Sequence, residues 1–78
     1  ILGGDLGKSS FHLKEAVRLA PDYAENHLGL AQVLIKKNNS TEARETLNKL
    51  MQLTDNTLDD KLLSLRKKGI SLLEEITP

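Results

Sequence analysis

Ala16-Val17-Arg18-Leu19-Ala20-Pro21-Asp22-Tyr23-Ala24-Glu25 holds the end of one helix and the start of another. A proline pushes the residue before it out of the α region, so a helix arriving at this stretch stops at Ala20. Asp22, followed three residues later by Glu25, is an Asp-x-x-Glu capping pattern that opens a new helix at once. A break this short makes the two helices run roughly antiparallel. The junction therefore points to an all-α fold, and the rest of the chain can be read outward from it.

Upstream, the spacing predicts a helix over 6–20. Asp5 is its N-cap, and Leu6, Leu13, Ala16, Val17 and Ala20 fall near one face. Downstream, a helix over 23–37 carries Tyr23, Ala24, His27, Leu28, Leu30, Ala31, Leu34 and Ile35. That set covers more than one face, as in a helix packed on two sides. Lys36 and Lys37 complement the negative end of its dipole. Asn38-Asn39-Ser40 is the next break, where either Asn can take a left-handed conformation. A third helix is expected over 41–53, capped by Asn39 or Ser40, with Ala43, Leu47, Leu50, Met51 and Leu53 inward. After the break Asp55-Asn56-Thr57, a fourth is expected over 58–76. Leu58, Leu62, Leu65, Leu72 and Ile76 follow a 4-3 spacing, with Gly69 filling the remaining step and Leu63, Ile70 and Leu73 widening the stripe. Gly69 costs about 1 kcal/mol relative to Ala in a helix interior, so it marks either a bend or a close helix contact.

Composition agrees with four helices and narrows the functions. The chain has 78 residues with one Phe, one Tyr and no Trp, so its core is built from Leu, Ile, Val and Ala. Eleven basic and eleven acidic residues cancel, which leaves no long-range field for nucleic acid or an anionic membrane. Arg66-Lys67-Lys68, the one basic cluster, reads as a solvated helix face. The absence of cysteine excludes a disulfide scaffold and a thiolate zinc site. No apolar run approaches the ~20 residues that a spanning helix needs. The chain opens on Ile1-Leu2-Gly3-Gly4 without an initiating Met, and is expected to be a piece of a longer protein.

No residue set announces catalysis, a cofactor or a metal. His12 and His27 lie on different helices, the first expected at the surface and the second packed. Asp59-Asp60 and Glu74-Glu75 are adjacent pairs whose carboxylates diverge by about 100° on a helix, so neither forms an acid/base dyad. Asp59-Asp60 reads instead as first-turn charge favourable to the dipole. Gly3-Gly4-Asp5-Leu6-Gly7-Lys8-Ser9 has neither the spacing nor the preceding strand of a phosphate loop.

The chain also repeats itself. Shifted by 34 residues, Asp5 meets Asn39, Leu13 meets Leu47, Val17 meets Met51, Ala24 meets Leu58 and Leu28 meets Leu62. Break residues fall on break residues and apolar residues on apolar ones. This period is the tetratricopeptide length, and residues 24–55 resemble one whole repeat of that family. His27 stands where the first aromatic is expected, Leu30-Ala31 where Leu-Gly is expected, and Leu34 where the second aromatic is expected. Ala43, Leu47 and Leu50 fit the second helix. The closing proline is replaced by Asp55, but is present one period earlier as Pro21.

The resemblance implies an all-α, tetratricopeptide-like right-handed superhelical segment forming a single domain. Residues 1–21 would be the back of one repeat, 22–55 a full repeat and 58–76 a capping helix, as at the C-terminal end of an array in small bacterial proteins. It implies a non-catalytic scaffold that binds a protein or peptide in the groove lined by the first helices of successive repeats. The groove-facing positions would be Glu25, Leu28, Gln32, Ile35 and Lys36, joined by Asp59, Leu62 and Arg66 of the closing helix. The family's peptide-carboxylate clamp is not expected, because Leu28, Gly29 and Gln32 stand where its residues would be sought. The alternative is self-association through the face of Leu6, Leu13, Ala16 and Val17, left uncovered by the absent first helix.

Overall fold

The computed structural model describes residues 5–77. Gly3 and Gly4 of the glycine-rich stretch, and Pro78, lie outside them. Four helices follow one another: α1 (Leu6–Leu19), α2 (Ala24–Lys36), α3 (Ser40–Leu53) and α4 (Asp60–Ile76). Each boundary has a local cause. The Asp5 carboxylate accepts the Lys8 amide at 3.2 Å and caps α1. Asn38 takes the left-handed conformation at φ 62°, and Asn39 caps α3. The Asn39 side-chain oxygen accepts the Glu42 amide, while its NH2 donates to the Glu42 carboxylate at 3.0 Å. Asn56 closes the second break, also left-handed at φ 58°.

Two helix starts differ from the sequence expectation in a way that changes a residue's role, while the other ends shift by at most one residue. Tyr23, not Asp22, is the residue before α2, and it makes no side-chain cap. Asp22 lies in the turn, one residue too early to reach the first free amides. Glu25 still sits in the first turn, where its charge suits the dipole, and takes a hydrogen bond from the Tyr23 hydroxyl at 3.1 Å. At α4 the cap is Asp59, whose carboxylate accepts from the Lys61 and Leu62 amides at 2.8 and 3.2 Å. Leu58 therefore falls outside the helix and is 94% exposed, so it takes no part in the buried stripe.

The packing order is α1 on α2, α2 on α3, and α4 on both α2 and α3. The main core joins Ala24, Leu28 and Ala31 of α2 to Leu47 and Leu50 of α3, with Leu62, Leu65, Leu72, Leu73 and Ile76 of α4 packed over them. A second cluster, Leu30, Leu34 and Ala43, is covered from the α1 side by Leu13 and Val17. Hence α2 is buried on two sides, as its broad apolar set requires. Leu13 and Val17 are thereby part of the α1–α2 packing, and the large apolar side chains that α1 leaves open are Phe11 and Leu19.

Gly69 marks a close helix contact, since α4 runs unbroken through it. A Cβ there would stand 2.7 Å from Leu50 Cδ2 and 2.8 Å from Met51 Cε. One turn earlier, the Arg66 guanidinium donates to the Met51 carbonyl at 2.9 Å and to the Thr54 hydroxyl at 3.1 Å. Thr54 is fully buried and donates in turn to the Leu50 carbonyl at 2.8 Å. The last carbonyls of a helix have no partner within it, and here a cation from the neighbouring helix serves them, at the end where the dipole is negative. Arg66 and Gly69 thus hold one face of α4 against α3.

Candidate functional site

α2 and α4 lie side by side and run the same way. At their starts Lys61 reaches Glu25 at 3.5 Å. At their ends Ile35 and Lys36 face Leu72 and Glu75 across a groove of ≈ 360 Å³ that Gln32 also lines. Ile35 and Leu72 supply its apolar surface; Gln32, Lys36 and Glu75 supply polar groups. The two ends differ electrostatically. Glu25 and Lys61 are closed on each other, whereas among the described residues neither Lys36 nor Glu75 is in an ion pair.

The eight groove positions expected from the sequence divide accordingly. Gln32, Ile35 and Lys36 are brought together in the groove. Glu25 is half-buried at its closed end. Leu28 is 6% exposed and belongs to the main core. On α4, Asp59 is spent on the helix cap, Leu62 packs against the core, and Arg66 is bonded to the end of α3. The α4 wall is instead formed by Leu72 and Glu75, with Lys61 at the far end.

The difference is a rotation of α4. Lys61 and Leu72 each lie one residue before a position on the face of Leu62 and Leu73, and one residue is about 100° of turn. Gly69 and Arg66 cause it, because both point at α3 and carry the neighbouring face toward α2. The signal was present in the sequence: once Gly69 is read as a contact, the groove wall has to be the adjacent stripe. Lys61, Lys68 and Glu75, spaced by seven, mark that stripe. Lys68 is exposed between the other two.

Of the two histidines, His12 is exposed and His27 is 4% exposed. His27 sits 2.7 Å through Nε2 from the Pro21 carbonyl, which ties the start of α2 to the turn before it. Among the described residues no group of three or more His, Cys, Asp or Glu could hold a metal ion, and no helix is long and apolar enough to cross a membrane.

Comparison with known proteins agrees with this architecture. The chain has no match among curated proteins or solved structures. A family model for the tetratricopeptide repeat matches residues 3–68. The match spans α1, α2, α3 and about half of α4. With all four helices in this order and most of its length matched, the chain belongs to the tetratricopeptide repeat family.

Proposed function

We propose that this chain is a non-catalytic scaffold that takes a peptide or partner protein in the groove between α2 and α4. Repeats of this family generally mediate protein–protein interaction. The observation that carries the reading is the unpaired set Lys36 and Glu75 flanking Ile35 and Leu72. An apolar floor with charges on both walls is the pattern of a recognition surface: the apolar part supplies affinity, and the charges supply orientation and discrimination. The Glu25–Lys61 pair closes the other end, so a bound segment would engage the half of the groove near the C-termini of α2 and α4.

The test is affinity capture of a partner followed by titration against variants. Lys36→Glu reverses one wall and is expected to weaken binding about tenfold or more, with Gln32→Ala giving a smaller loss. Both side chains are exposed, so the helical signal and thermal midpoint should stay unchanged. Unchanged affinity in both variants would place the working surface elsewhere.

A further inference from the structure

On the side away from the α2/α4 groove, α1 and α3 do not pack on each other. Among the described residues, the Lys14–Glu42 ion pair at 3.0 Å is the one that spans the gap. Between them, over α2, lies a second and larger cleft of ≈ 420 Å³, a size that suits a single inserted side chain or a small ligand. Its walls include Val17 from α1, Leu30 from α2 and Leu53 from α3. The family's first aromatic position, which would fill space here, carries His27.

The polar groups of this cleft are almost all acceptors. His27 Nε2 lies 2.7 Å from the Pro21 carbonyl. A carbonyl can only accept, so Nε2 carries the hydrogen, and in the neutral ring Nδ1 is a bare acceptor. Among the described residues no hydrogen bond engages Nδ1, and His27 itself lines the cleft. The Thr46 hydroxyl gives its hydrogen to the Glu42 carbonyl at 2.9 Å and likewise presents lone pairs. Glu42 is already engaged, one oxygen by Asn39 and the other by Lys14. Asp22 and Glu45 are exposed on the rim and unpaired among the described residues. Among the described residues Lys49 is the one cation lining the cleft.

We propose that this cleft takes an arginine side chain presented by a partner protein. The methylene stem would lie along Val17, Leu30 and Leu53. The guanidinium would meet Asp22 and Glu45 at the rim and His27 Nδ1 inside. Arginine is the side chain that combines an apolar stem with several fixed donors and no acceptor. A carboxylate or phosphate finds only Lys49 here, and an uncharged apolar side chain would leave the rim carboxylates and His27 Nδ1 without a donor. The proposal is independent of the α2/α4 groove, since the two sites share no lining residue.

The test uses the isotope-labelled chain and two capped tripeptide probes, Leu-Arg-Leu and Leu-Gln-Leu, followed by amide chemical shifts. The arginine peptide is expected to move the amides around Asp22, His27 and Thr46 and to bind about tenfold more tightly than the glutamine peptide. The double variant Asp22→Asn, Glu45→Gln, altered only at exposed positions, is expected to remove that tenfold difference and leave the glutamine peptide unaffected. Lys49→Gln should strengthen arginine binding two- to threefold, roughly what removal of one exposed like charge gives. Three results would overturn the proposal: equal binding of the two peptides, no shift at about 10 mM peptide, or shifts confined to Gln32, Lys36 and Glu75.

Discussion

Leu50→Ala is expected to lower the unfolding free energy by about 3 kcal/mol. Leu50 is fully buried in the main core, between α2 and the underside of α4. Its removal costs the transfer of a Leu side chain plus a cavity, and the cavity is badly placed to close. The α4 residue directly opposite is Gly69, which has no side chain to move in. A chain of this length carries a total stability on the order of 4–12 kcal/mol, so a large fraction of the folded population is at stake. Urea unfolding followed by helical circular dichroism would measure it from the shift in midpoint. A loss below about 1 kcal/mol would mean that α4 settles onto α3 after the truncation, and that the Gly69 contact is not what holds the helices apart.

Gly69→Val is expected to destabilise by about 2 kcal/mol, against the sign that helix propensity gives. In an open helix, replacing Gly with Val gains some tenths of a kcal/mol. Here the new Cβ would meet Leu50 Cδ2 at 2.7 Å and Met51 Cε at 2.8 Å. The Met51 methyl ends a flexible chain and can turn away, but Leu50 is fully buried and has nowhere to go. Overpacking of that kind costs about 1–3 kcal/mol and decides the sign. The two positions should couple. In the Leu50→Ala background the vacated space admits a Cβ, so Gly69→Ala should become neutral or stabilising, whereas in the parent chain it should cost stability. The double-mutant cycle measures this as an interaction energy of about 1 kcal/mol or more. Additive effects, or a stabilising Gly69→Val, would contradict the close approach of α3 and α4.

How much of this was legible beforehand depended on whether a residue's role was local. Asp5, Asn38 and Asn39 act on amides within a few positions of themselves, and their chemistry announces the helix ends. Pro21 does the same from outside the helix. The all-α fold and the two-sided burial of α2 follow from such signals together with the 34-residue period. Asp22 misled because backbone geometry put the cap position of α2 one residue beyond it, at Tyr23. Leu58 misled because its spacing matched the stripe while the Asp59 cap placed it before the first turn.

The groove was half legible for a deeper reason. Gln32, Ile35 and Lys36 lie on a helix pinned from both sides, so its rotation is dictated by its own apolar pattern. The rotation of α4 is set by a carbonyl at the end of α3 and by a gap over Leu50. Neither has any signature in the α4 sequence beyond an arginine and a glycine three residues apart. Carrying the face of α2 forward by one period therefore put Asp59, Leu62 and Arg66 where Lys61, Leu72 and Glu75 stand.

The packing order also sets the route by which the structure opens. The α1 backbone packs on α2 and is tied to α3 chiefly through the Lys14–Glu42 ion pair, whereas α2, α3 and α4 are mutually in close contact. Detaching α1 uncovers the cluster of Leu30, Leu34 and Ala43 but leaves the core around Leu47 and Leu50 whole. A subglobal opening is thus built into the chain, in which the amides of α1 exchange with solvent deuterium earlier than those of α2 and α3. The arginine-accepting cleft has one wall on α1 and the α2/α4 groove has none, so such an opening would abolish the first site while the second stayed assembled.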